Sequence, residues 1–207
     1  NVGISYALKH NADYVLLLNN DTTVEPNFLT ELVSVSEKNT FAGIIGSKIF
    51  FATNKKKLWY AGGTLNLKTG VVKHRGIREF DNGQYSAVEE VDYITGCCML
   101  VKKEAIEKVG VLDEAYFIYG EDADWCCRMK KAGYQLLYVP SSVIYHKVSI
   151  SSGGNLSWFK NWNKLKSNLR LLLRYAKWYY WFIIPFTFIT HIAKSYIVAK
   201  KDIKKSE

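Results

Sequence analysis

Short unbroken apolar runs alternate along this chain with segments whose apolar residues recur every three or four positions. "YVLLL", Tyr14–Leu18, is such a run with polar residues on both sides, the pattern of a strand buried on both faces. It stops at "NNDT", Asn19–Thr22. "EPNFLTELVSVSEK" then places Pro26 near a helix N-terminus and continues with apolar residues at helical spacing. Strand, polar loop and helix make an α/β unit. In such sheets ligands gather at the C-terminal ends of the strands, where Asn19, Asn20 and Asp21 stand.

The same reading extends along the chain. Val2–His10 is a short amphipathic helix, and "FAGIIGSKIFF", Phe41–Phe51, is another strand. Leu58–Gly76 reads as strands and turns, with Gly62 and Gly63 permitting a tight backbone, and 76–90 as a surface loop. Val91–Lys103 reads as a strand with Gly96 inside it, a sign of a bulge or of close approach to a ligand. Lys103–Gly110 is a short helix with a glycine stop, and a second helix starts near Glu121 and ends at Gly133. "YQLLYVP" and "SVIYH" read as two strands, the second ending at His146. No internal repeat is present.

Charge separates the C-terminal part from the rest. From Lys160 onward there are eleven Lys or Arg against two acids, so this tail carries the whole net charge of +9. The preceding residues are balanced. The tail is also rich in aromatic residues, and between Trp178 and Ala193 it has no charged side chain. With Pro185 inside it, this stretch is short for a membrane span and reads as an interfacial segment on an anionic membrane. A hydrophobic helix packed on the domain is the alternative. Nucleic acid is disfavoured as a partner, because the aromatic residues are not interleaved with Arg on a sheet face. The chain divides into a body, 1–159, and a tail, 160–207. The four cysteines form two adjacent pairs, Cys97–Cys98 and Cys126–Cys127, match no zinc spacing and read as buried free thiols, which favours a reducing, cytoplasmic compartment.

A strand-end Asp21, a helix-start Asp122 and a strand-end His146 can converge on one sheet edge. Asp and His together suit a divalent ion of the Mg²⁺ or Mn²⁺ type, which also accepts phosphate oxygens. Asp122 follows the aromatic run "YFIYG", and an apolar backing by Phe117 and Tyr119 would suit a proton acceptor. Asp124 stands four residues before Arg128 and reads as its ion-pair partner.

Taken in order, "GISYALKHNADYVLLLNNDT", "WYAGG", "VDYITGCCMLVKKEAIEKVGVLDEAYFIYGEDADWCCRMKKAGYQLLYVPSSVIYH" and "WFKNWNKL" resemble the family 2 glycosyltransferases, in particular their rhamnosyltransferase-like branch. The resemblance runs from Val2 to about Leu165. It implies a GT-A-like, Rossmann-like mixed sheet flanked by helices, with a C-terminal helical tail. It implies that Asp122 is the catalytic base of an inverting transfer, preceded by Glu121, and that Asp21 and His146 hold the metal. Asn19 stands where many members have an acid. Trp59, Gly62, Gly63, Thr95 and Gly96 match positions that line the donor and acceptor sites. The implied partners are a nucleotide-sugar donor and a glycan or lipid-linked acceptor in cell-surface polysaccharide synthesis, at the inner face of a membrane. The family's N-terminal strands hold the nucleoside. This sequence opens on "NVGISYALKH" without Met, so it is read as a fragment with little activity by itself. A non-catalytic sugar- or membrane-binding domain of the same fold is the alternative. A phosphotransferase would need a glycine-rich phosphate loop, which the sequence lacks.

Overall fold

The computed structural model describes residues 1–69, 71–147, 158–182 and 184–185. Helix α1 (Val2–Lys9) leads into β1 (Tyr14–Leu18), then β2 (Thr22–Val24) and α2 (Phe28–Lys38). A run of strands follows: β3 (Ala42–Phe51), β4 (Asn54–Tyr60), β5 (Gly63–Asn66), β6 (Val71–His74) and β7 (Glu89–Glu90). Then come β8 (Cys98–Lys102), α3 (Lys103–Val109), α4 (Glu121–Lys131), β9 (Gln135–His146) and α5 (Trp158–Tyr175), with a short 3-10 turn at Trp178–Phe182.

The main sheet runs β1-β8-β3-β9-β2, with β4 added to β3 and β7 to β9. β3 and β9 are parallel, while the β1–β8, β8–β3 and β2–β9 pairs are antiparallel, so the sheet is mixed. β3 is its spine. Every residue from Ala42 to Phe50 is buried, as its aliphatic composition demands of a strand covered on both faces. Its first half pairs with β8 and its second half with β4. β5 and β6 form a separate hairpin.

Three details differ from the sequence reading. The segment around Gly96 is not strand interior: β8 begins at Cys98, and Gly96 and Cys97 form the turn that leads into it, closed by the Cys98 N–H on the Thr95 carbonyl. β9 is one strand through Pro140, not two. Its pairing with β3 jumps from Val139 opposite Ser47 to Val143 opposite Lys48, so Pro140 falls where the ladder is interrupted and no hydrogen bond is asked of it. The 76–90 segment is not only a surface loop. Asp81 is drawn against the sheet by Lys48, a buried lysine on β3, at 2.7 Å. All four cysteines are free and only Cys127 is partly exposed, as expected of buried thiols.

Helix α5 uses two faces. Ser167, Leu171 and Leu172 are buried, while Leu165, Leu169 and Leu173 are exposed. Burying Leu171 and Leu172 contributes about 2 kcal/mol each. Among the described residues no helix is long and apolar enough to cross a membrane. The apolar stretch from Trp178 to Ala193 lies largely outside the described residues.

Candidate active site

The head of α4 is built by an unusual turn. Tyr119 (φ 66°) and Gly120 (φ 89°) are both left-handed, which reverses the chain sharply and delivers Glu121 and Asp122 as the first helical residues. A tyrosine is uncommon in this conformation, and such strain concentrates at functional turns. A Cβ on Gly120 would come within 3.0 Å of Ser167, so α5 closes over this turn.

Asp122 is held on both oxygens. Oδ2 accepts from the Tyr93 hydroxyl at 2.5 Å and from the Gly96 backbone N–H at 3.0 Å. Oδ1 accepts from the Ala123 N–H at 2.8 Å, at the positive end of the helix dipole. The expected apolar backing is absent: Phe117 is 82% exposed, and the Tyr93 hydroxyl and the Gly96 amide are what Asp122 meets. The Asp side chain reaches Gly96 because that residue has no Cβ; one added there would sit 3.6 Å from the carboxylate. Beside it, the Glu121 carboxyl is pushed up by burial and by the neighbouring Asp122 charge. Its Oε2 is buried and has no hydrogen-bond partner among the described residues.

Asp21 and His146 are brought together by strand pairing. β2 pairs with the end of β9 so that Thr22 lies opposite His146, and the preceding Asp21 then reaches the imidazole, Oδ1 to Nε2 at 3.1 Å. Burial lowers the His146 pKa, with the Asp21 charge opposing the change, which favours the neutral ring that a metal needs. Its Nδ1 is buried and has no hydrogen-bond partner among the described residues. Among the described residues no three His, Cys, Asp or Glu side chains are grouped to hold an ion. The pair therefore fits a cation that takes its remaining ligands from phosphate and water, as Mg²⁺ and Mn²⁺ do. Asn19 is exposed at the end of β1, its N–H on the Cys97 carbonyl and its own carbonyl receiving the Thr22 hydroxyl.

Aromatic rings connect the two places. Trp59 lies edge-on to His146 and to His74, each at 4.5 Å between ring centres, and His74 stacks on Tyr93 at 5.9 Å. His74 is pushed down to about 4 by burial, so its ring is neutral at neutral pH. Gly62 and Gly63 are buried under this layer: a Cβ on Gly63 would lie 2.5 Å from the Tyr93 ring, and Gly62 has φ 89°. Thr95 is buried and its hydroxyl receives the Cys97 N–H. Sequence reading did not find Tyr93 or His74. Their signals were slight: Tyr93 lies three residues before Gly96, and His74 pairs across a hairpin with Gly63.

Asp124 is fully buried and plays a different part. The expected Arg128 partner is there, Nε to Oδ2 at 2.8 Å, and its guanidinium also caps the Val109 and Val111 carbonyls. Two donors come from α5 as well: Arg174 at 3.1 Å and the Tyr175 hydroxyl at 2.8 Å, both to Oδ1. Arg174 also binds Asp113.

Comparisons with known proteins identify the family and the fold. Residues 14–199 match the family model described as glycosyl transferase family group 2. An N-acetylglucosaminyl-diphospho-decaprenol L-rhamnosyltransferase of Mycobacterium tuberculosis is 43% identical over 63 residues, 30% of this chain and 20% of that protein. The dTDP-rhamnosyl transferase RfbF of Shigella flexneri is 28% identical over 155 residues, 73% of this chain and 48% of that protein. The chain thus spans less than half the length of these relatives. A mannosyltransferase of Pyrobaculum calidifontis, solved with GDP-Man and Mn²⁺, superposes with a TM-score of 0.52 at 13% identity, over 84% of this chain and 43% of that one. At that identity the likeness is one of fold, the GT-A fold. The family match, over a chain with the mixed sheet of this fold, leads to one conclusion: this chain belongs to the family 2 glycosyltransferases.

Proposed function

We propose that the chain supplies the base, the cation-binding pair and the acceptor side of an inverting glycosyltransferase. The donor is a nucleotide-activated hexose or deoxyhexose, and the names of the relatives favour a rhamnosyl-type deoxyhexose. The acceptor is a hydroxyl of a glycan or lipid-linked sugar of the cell surface. The observation that carries this reading is the Asp122 carboxylate, fixed at a helix head by Tyr93 and Gly96 in a chain of this family.

In the reaction, Asp122 accepts the acceptor's hydroxyl proton while the oxygen attacks the anomeric carbon. The bond to the donor's diphosphate oxygen breaks on the opposite face, so the configuration inverts. A divalent cation held by Asp21 and His146 would supply charge compensation for the diphosphate, with Asn19 contributing through water. Trp59, Thr95, Gly96 and Glu121 border the reacting sugars, and Gly62 and Gly63 shape the wall behind them. The described residues make the base and acceptor side, and the 207 residues by themselves are expected to transfer little sugar.

The division at 159/160 is functional in this reading. The outward face of α5, with Leu165, Leu169 and Leu173 beside Lys166, and the basic residues beyond it suit the anionic inner surface of a membrane. Flotation with anionic vesicles tests this: the protein is expected to float, and a variant lacking 160–207 that floats equally well would contradict it. The asparagine at position 19 keeps a second reading open, a sugar-binding domain without turnover. NMR of the product formed by the intact gene product separates the readings. An anomeric configuration opposite to the donor's is expected; retention would remove the direct-displacement mechanism, and no transfer from any sugar nucleotide would favour the binding domain.

A further inference from the structure

The proposed base has a buried phenol at its side. The Tyr93 hydroxyl lies 2.5 Å from Asp122 Oδ2, and the Gly96 N–H binds the same oxygen at 3.0 Å. A carboxylate so held cannot rotate without breaking two hydrogen bonds. Oδ1 receives one N–H, from Ala123. A carboxylate oxygen has capacity for a further donor, and an acceptor hydroxyl is such a donor.

Tyr93 is itself fixed from several sides. It is 5% exposed. Its ring lies against His74 and Tyr60, its carbonyl receives the Tyr60 hydroxyl at 2.7 Å, and Gly63 leaves the space that the ring fills. Burial, and then the Asp122 charge, push the Tyr93 phenol well above its ordinary value, so it keeps its proton and stays a donor. The other titratable groups that feel Asp122 are Glu121 and Cys126 on α4, Tyr60 on β4 and His74 on β6, and Lys164 of α5 acts on His74. Tyr93 and Gly96 are what donate to Oδ2.

We propose that Tyr93 is the positioning residue of the base: its hydroxyl fixes the Asp122 carboxylate in one orientation and leaves Oδ1 for the acceptor hydroxyl. The inference rests on the reading of Asp122 as the base. It gives Gly63 a role in seating Tyr93 and, through it, the base.

The test is the pH dependence of kcat/KM for transfer by the intact gene product, compared with Tyr93→Phe. A hydrogen bond donated to a carboxylate favours its charged form, so its loss raises the pKa of the base. The acid limb of Tyr93→Phe is expected to move up by about one pH unit. Its kcat is expected to fall about tenfold with KM little changed, because the carboxylate is no longer held in line. Replacement of Tyr93 by 3-fluorotyrosine keeps the ring and strengthens the donor, so the acid limb should move the other way. This second variant also serves if Tyr93→Phe does not fold. An acid limb unmoved by either replacement, with kcat within about twofold of wild type, would overturn the proposal. Asp122→Asn in the same assay tests the underlying reading separately. Should it retain transfer, the base assignment falls and this inference falls with it; should it lose transfer while the tyrosine variants behave as wild type, only the positioning role is lost.

Discussion

Asp122 and Asp124 stand two residues apart in the first turn of one helix, yet their surroundings differ in kind. Asp122 meets a phenol and backbone amides and is partly open. Asp124 is sealed from water and meets two guanidinium groups and two phenols, those of Tyr116 and Tyr175, half of these four donors from a helix fifty residues further on. Neutral donors fix a carboxylate while leaving it a capacity to act. Cationic donors in a closed site use that capacity up. Residue type and helical turn are the same for both; the difference lies in the opposite faces of the helix they stand on and in what the third dimension brings to each.

This comparison can be broken on its structural arm. Asp124→Asn leaves Arg128 and Arg174 without their shared counter-charge, and is expected to lower stability by about 4 kcal/mol in denaturant unfolding of the 207-residue protein. A loss under 1 kcal/mol would mean that α5 is held by apolar contact and by the Arg174–Asp113 pair, with little from Asp124. The next largest effect concerns the layer behind Asp122. His74 has its pKa near 4 in the folded chain against an ordinary 6.5, so the unfolded chain takes up the proton first as pH falls. Stability is therefore full above about pH 6.5 and declines towards pH 4, by about 3 kcal/mol in all. His74→Phe should flatten that slope; an unchanged slope would assign it to other groups. Smallest is Gly63→Ala, whose methyl must displace the Tyr93 ring or backbone, at a cost of about 2 kcal/mol. If its unfolding midpoint equals that of wild type, the seat of Tyr93 is looser than the geometry states.

Local patterns carried much of this molecule. The YVLLL run, the helix after Pro26 and the capped helix at Glu121 follow from apolar spacing and end signals, and they place Asp21 and Asp122 correctly at element ends. The Asp124–Arg128 pair is one helical turn and was equally legible. What escaped depends on contacts remote in sequence. β2 is three residues long and exists because it pairs with the end of β9, and that pairing makes the Asp21–His146 contact. Tyr93 meets Asp122 across 29 residues, and Arg174 meets Asp124 across 50. No periodicity within a window records such pairs. The aromatic run before Glu121 misled for the same reason: it looks like an apolar wall, but the left-handed turn at Tyr119 sends Phe117 outward.

The central claim is that Asp122 acts and Asp124 holds. Its most direct test is the transfer rate of Asp122→Asn in the intact gene product, read beside its thermal midpoint. A loss of about a thousandfold in kcat with an unmoved midpoint is predicted, since Asn keeps the shape of the side chain and loses the capacity to take a proton. Transfer within a few-fold of wild type would contradict the account and place the base elsewhere.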